Sequence, residues 1–206
     1  HKQFMEELLR PLRWVEEIRR SQPAYQGWNG HWPSTTTQFV AGGSDESDLE
    51  LLTTTEWLMK NVRLKRAYFS AFHPIHDTPL ENKMAVDPMR EHRLYQASFL
   101  LRDYGFDLED LPFTKESNLP ISTDPKSAWA QMNLREKPLE INRAERRDLL
   151  RVPGIGLRGV DAILSARRQN KLKDISALKQ LGILVDRAAP YILLDGRQPA
   201  KQLTLF

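Results

Sequence analysis

Apolar residues at Phe4, Leu8, Leu12, Val15 and Ile18 recur on one stripe, so residues 1–20 predict an amphipathic helix. No Ser, Thr, Asp or Asn precedes it as a cap and no Met opens the chain, so we expect the C-terminal part of something longer. Gly, Pro and polar residues then fill 21–34, a loop in which Trp28 and Trp32 are expected to pack against their own domain. The run TTTQFVAGG (35–43) is β-branched and aromatic and ends on two glycines, a strand signal. Ser47 and Glu50 form a capping box for a helix that carries Leu49, Leu52 and Leu58 and runs to about Asn61. LKRAYFSAFHPI (64–75), with its continuous apolar centre, predicts a second strand. Strand, helix and strand in this order form a βαβ unit, whose strands should lie parallel and be covered on both faces. One such unit completes neither a sheet nor a barrel.

Asp87 and Pro88 open a further helix as N-cap and first residue; it places Leu94, Ala97 and Leu101 on one face and ends at Gly105. Residues 106–138 are rich in Pro and Asp, with one helical patch at 127–132, and read as a connection. The expected organisation is therefore 1–105, a connecting segment 106–138, a helical domain 139–196 and a tail 197–206.

The helical domain carries the most informative stretch, PLEINRAERRDLLRVPGIGLRGVDAILSARRQ (138–169). Asn142 and Glu145 predict a cap for a helix running to Arg151, Val152-Pro153-Gly154-Ile155-Gly156 a tight turn, and Val160, Ile163 and Leu164 the inner face of a second helix. The pattern is that of a helix-hairpin-helix. Gly154 and Gly156 are expected to take backbone angles closed to other residues and to present amides unobstructed. Those amides start a helix, where free N–H groups and the helix dipole attract an anion. Arg151, Arg158 and Gly159 flank the turn, completing a candidate site of Arg151 to Gly156 with Arg158 and Gly159. Such a site holds DNA phosphates and reads no bases. A second pair, 174–192, repeats the shape without the glycines; Leu178, Leu181, Ile183 and Ile192 should complete the core, and Arg187 is a further candidate for phosphate.

Charge sharpens this picture. The chain has 206 residues and a net charge of +3. Residues 142–206 hold 13 Lys and Arg against 6 Asp and Glu, a balance of +7, whereas residues 1–141 hold 17 against 21, a balance of −4. A basic third suits a polyanionic partner. No apolar run approaches the ~20 residues of a membrane span, and the expected compartment is the cytoplasm. The chain has no cysteine, which removes disulfides, thiol catalysis and Cys-ligated zinc or iron–sulfur centres.

Five blocks, STTTQFVAGGSDESDLELL, LKRAYFSAFHPI, REHRLYQASFLLRDYGF, DPKSAWA and NRAERRDLLRVPGIG, together resemble in order the C-terminal half of the radical SAM proteins of DNA modification and repair. The resemblance covers most of 34–196. It implies an α/β plus α fold: an incomplete (β/α) partial-barrel segment followed by an all-α helix-hairpin-helix domain. It also implies S-adenosylmethionine and a 4Fe–4S cluster on a CxxxCxxC loop for the full-length family protein, a loop this chain lacks. Carried over by the resemblance, Gly42, Gly43 and Glu46 stand where a late barrel strand contacts the cofactor; as plain residues they read equally as a strand-to-helix turn. PIHDTPL (74–80) departs from the family's PIPGTPL at its centre.

The chain closes on QLTLF (202–206), where Gln202, Leu203, Leu205 and Phe206 resemble the motif by which bacterial repair proteins dock on the sliding clamp. The expected function is sequence-independent DNA binding within a repair or modification enzyme. The alternatives are a non-catalytic DNA- and clamp-binding protein and a helix-hairpin-helix glycosylase using Asp174 or Asp186. His73 and His76 lie three apart, but with no partner in sight no metal site is expected.

Overall fold

The computed structural model describes residues 4–199, in two units that divide after Tyr95. The division falls inside a helix, so each unit is taken by itself.

The first unit opens with helix α1 (Phe4–Ser21), which carries Glu6 and Glu7 in its first turn and Arg19 and Arg20 in its last, the polarity a helix dipole favours. In the following loop the Trp28 and Trp32 rings lie 5.5 Å apart and the Trp32 indole donates to the Gln22 carbonyl, so both tryptophans serve the loop itself. Strands β1 (Thr36–Ala41) and β2 (Arg66–Ala71) pair in parallel, with Thr36 opposite Arg66 and Ala41 opposite Ala71. Helix α2 (Asp48–Val62) joins them, and its capping box forms as the sequence predicts: Ser47 Oγ accepts from the Glu50 amide and the Glu50 carboxylate accepts from the Ser47 amide. Leu52, Leu58 and Val62 from α2 and Ala67 and Phe69 from β2 are all buried. The two-stranded sheet is buried on one face only. Val40 and Tyr68 on the other face are exposed, in place of the two-sided covering expected of a parallel pair.

Helix α3 (Pro88–Asp103) leads from the first unit into the second, with the Asp87 carboxylate accepting from the Met89 amide. The second unit takes in segment 106–138, which is structural rather than a mere connection. Phe106, Leu111 and Leu119 are buried, and helix α4 (Pro125–Asn133) is capped by Asp124, which accepts from the Ser127 amide. Then come β3 (Leu139–Glu140), α5 (Arg146–Arg151), α6 (Leu157–Gln169), α7 (Ile175–Gln180), α8 (Val185–Ala188), a 3-10 turn and β4 (Ile192–Leu193). Strands β3 and β4 pair in parallel and tie the ends of this helical set together. The described residues are mixed α and β, with helices dominating and two short parallel sheets.

The α5–α6 and α7–α8 pairs share one core, built on Ile141, Leu149, Val152, Ile155, Val160, Ile163, Leu178, Ala188 and Ile192. Two expectations change here. The cap of α5 is Glu145, while Asn142 bonds to Glu140 and to the backbone of Leu172 on the far side of α6. The second pair also keeps one glycine of its turn: Gly182 has φ +76° and Gly154 has φ +82°, and each is followed by a buried isoleucine. The turns are joined directly, the Leu184 amide donating to the Gly154 carbonyl at 3.1 Å.

Candidate nucleic-acid interface

The eight residues read as a phosphate grip divide into two groups, with Arg151 apart from both. Val152, Pro153 and Ile155 are buried, and Val152 and Ile155 belong to the core. Gly154 needs its left-handed backbone, and a Cβ there would collide with the Leu184 carbonyl oxygen and lie 3.1 Å from Arg187 Cβ. Gly159 is a close-approach glycine as well, since a Cβ would stand 2.6 Å from Ile183 Cδ1. These residues shape the turn from behind.

Arg151 is the clearest reassignment. It is 8% exposed, and its guanidinium makes a two-pronged ion pair with Asp110, at 2.8 Å and 2.5 Å. It also lies 4.8 Å from the Phe106 ring centre and 4.7 Å from that of Trp129. The Arg151 hydrogen bond holds the Asp110 carboxyl below the usual carboxylate range. A charge so enclosed fixes α5 to the preceding segment and is not offered to a ligand. Its partner Asp110 comes from the stretch whose composition suggested only a connection.

Gly156 and Arg158 form the outward group. Gly156 is the N-cap of α6 at φ −101° and ψ −179°, an extended conformation open to any residue, so its role is not the backbone freedom the sequence suggested. It is half-buried, and it starts α6, whose first-turn amides helix geometry leaves without intrahelical acceptors; a Cβ at Gly156 would lie 3.6 Å from the Tyr104 hydroxyl. Leu157 and Arg158 are exposed beside it.

Beside the turn lies a cleft of about 410 Å³ lined by residues of α3, α4, the turn and α8. Lys126, which sequence reading passed over, stands within it. Its Nζ donates to the Ile155 carbonyl at 2.6 Å and lies 4.8 Å from the Tyr104 ring centre. Burial, reinforced by Arg187, pushes its pKa down to about 7. Arg187 is held by Asp124 at 2.6 Å and Ser127 Oγ at 2.9 Å. The only sequence signal for Lys126 was its place one residue after an Asp-Pro helix start.

The remaining candidates are in the first unit. Gly42 takes φ +89°, and its amide and that of Ser44 both donate to the Glu46 carboxylate. Arg90 donates to the Glu46 carbonyl and the Asp48 carboxylate, and Lys83 to the Gly43 carbonyl. Gly42, Gly43 and Glu46 thus close a strand-to-helix turn on themselves. No cysteine is present, so this chain alone cannot hold a Cys-ligated iron–sulfur cluster. His76, Asp77 and Glu81 bring ligand atoms within 4.8 Å of one another, but all three are exposed and their contacts are with each other. Gln202, Leu203, Leu205 and Phe206 lie outside the described residues. Among those residues no helix is long and apolar enough to cross a membrane. Comparison of the chain with protein-family models, with curated proteins and with solved structures gives no match.

Proposed function

We propose that this chain is the DNA-binding C-terminal portion of a radical SAM protein of DNA modification or repair, and that α5, the turn and α6 act as a helix-hairpin-helix on the sugar–phosphate backbone. The observation that carries the reading is the division of the turn. Its buried residues are locked by Gly154, Lys126 and Arg151, while Gly156 starts α6 without a side chain and Arg158 is exposed beside it. Amides fixed in advance at a helix start bind an oxyanion with little ordering cost. They contact phosphate and not base edges, so unrelated sequences are bound alike.

In this reading β1, α2 and β2 are a segment of a partial (β/α) barrel. The cluster and S-adenosylmethionine chemistry resides in cysteine-bearing sequence outside this chain, because Gly42, Gly43 and Glu46 are satisfied by their own turn and no cysteine is at hand. No chemical step is assigned to these residues. The terminal QLTLF serves as a tether to the bacterial sliding clamp, by the pattern of its residues.

Fluorescence anisotropy with two duplexes of unrelated sequence tests the proposal. Equal affinities within about threefold are expected, together with a loss of at least about tenfold in Gly156→Val at an unchanged melting temperature. No duplex binding at low salt would end it. Deleting the last five residues should remove clamp capture and leave DNA affinity as it was; capture by the shortened chain would end the tether.

A further inference from the structure

The cleft beside the turn combines two features that seldom share a site. Its walls are apolar and aromatic, from Phe99, Leu100, Tyr104 and the exposed Leu184. Its charged residues are Lys126 and Arg187 against Asp124, and Arg187 already occupies Asp124. Lys126 is left as a half-buried ammonium that donates to a carbonyl and stands beside a ring, with Asp124 favouring its charge and burial and Arg187 opposing it. A cation placed so costs free energy unless an anion joins it. An apolar peptide or lipid tail would worsen that cost by displacing water from the ammonium. A ligand with an anionic group and a flat apolar body would relieve it.

The cleft is also continuous with the turn, because Gly154, Ile155 and Gly156 form part of its lining. Whatever enters is therefore adjacent to the backbone held at the start of α6. A volume of about 410 Å³ lies at the lower end of small-ligand sites and suits one nucleotide.

We propose that this cleft receives one unpaired nucleotide of the DNA strand held by the α5–α6 turn, with its phosphate facing Lys126 and Arg187 and its base against Phe99 and Tyr104. The inference rests on the reading of the turn as a backbone grip, and adds that the preferred substrate is a duplex with a nucleotide out of the stack. Aromatic contact favours a base of any identity, so preference for the unpaired position is not a sequence preference. The downward-shifted Lys126 accords with this arrangement, since an incoming phosphate supplies the opposite charge the site lacks.

The test compares three probes in anisotropy titrations of the full chain: a paired duplex, the same duplex with one extra unpaired nucleotide, and the same duplex with a base-free sugar at that extra position. We expect the unpaired nucleotide to bind at least about fivefold tighter than the paired duplex, and the base-free probe to lose most of that gain. In Phe99→Ala, a substitution at an exposed side chain, the ratio of the two affinities should fall toward one; Lys126→Met should lower it as well. Melting curves accompany both variants, and Phe99→Ala decides the matter if Lys126→Met unfolds. A ratio of one in the wild type, with salt-sensitive duplex binding intact, overturns the nucleotide cleft and leaves the backbone grip standing. Equal gains with and without the base overturn it too, since they report DNA flexibility alone. A ratio that survives in Phe99→Ala does the same. Absence of binding to every probe removes the grip and this inference together.

Discussion

Replacing Arg151 with Ala separates two roles that the sequence alone leaves merged. If the side chain were a phosphate contact, its loss would weaken DNA binding and spare the fold. The structure instead places it between two rings and against Asp110, with 10% of the Arg151 side chain and 23% of the Asp110 side chain exposed. Removing one partner of a buried pair costs roughly 3–5 kcal/mol, and the residual exposure of Asp110 argues for the lower end. Loss of two ring contacts adds about 1 kcal/mol, giving roughly 4 kcal/mol in all. With a urea dependence of ~2 kcal/mol per molar, the unfolding midpoint should drop by about 2 M. Arg151→Lys keeps a charge but loses the forked geometry, and should cost about half as much. The sign with pH follows from Asp110, whose folded carboxyl titrates below its ordinary 3.8. The pair's contribution is fully present above that value and is lost as pH falls through the folded pKa, so wild type and Arg151→Ala should converge in acid. Chemical denaturation followed by tryptophan fluorescence measures this. An unchanged midpoint, with a salt dependence of DNA binding flattened by about one phosphate, would refute the structural assignment.

Two further outcomes follow from the turn and its cleft. Gly154→Ala meets both a left-handed backbone and the Leu184 carbonyl, whereas Gly182→Ala has a similar φ and nothing within 4 Å; we expect a loss of about 3 kcal/mol for the first and about 1 for the second in thermal melts. Lys126 faces Arg187 from α8, Asp124 at the cap of its own helix, the Tyr104 hydroxyl-bearing ring and the Ile155 carbonyl. Its pKa of about 7 means the charge that meets phosphate disappears as pH rises, so affinity for the unpaired-nucleotide probe should fall by up to about tenfold per unit above pH 7, and Lys126→Met should flatten that profile.

The parts of the fold legible in the sequence were those fixed by local chemistry. Ser47 with Glu50 and Asp87 before Pro88 each act through a side chain reaching an amide two or three residues away, and both formed as read. The paired strands and the two helices around Val152–Gly156 were legible for the same reason. What escaped was decided by distant partners. Gly154 and Gly156 look alike in sequence, yet only Gly154 has a positive φ, and only there do Leu184 and α8 leave no room for a Cβ. The β3–β4 pairing joins two-residue strands far apart in the chain, too short for any periodicity to register. Lys126 acquires its character wholly from what folds over it. Tyr104 and Ile155 approach it from elements that nothing in its local sequence announces.

The same dependence on partners changes the electrostatic argument, and with it a measurable slope. The balance of +7 over residues 142–206 counts cations whose acids lie upstream: Arg147 pairs with Asp107, Arg151 with Asp110 and Arg187 with Asp124. Taken over the whole second unit from Gln96 on, 18 Lys and Arg face 14 Asp and Glu, a balance of +4. Within α5, the turn and α6, Arg146 pairs with Asp161 and Arg167 donates to the carbonyls of Ile141 and Ala144, which leaves Arg158 and Arg168 with no ion pair among the described residues. Each phosphate neutralised by such a side chain contributes about −0.9 to the slope of log affinity against log salt. Backbone amides grip phosphate without adding a whole charge, so the two free cations of this hairpin set an upper bound of roughly −2. The raw balance of +7 would imply about −6. Titration of a paired duplex over a range of salt concentrations distinguishes these values. Arg158→Ala, at the open end of α6, should reduce the slope by about one phosphate without moving the melting temperature. A slope near −6, or one indifferent to Arg158, would mean that the paired arginines leave their carboxylates on binding and that the grip is not the preformed turn described above.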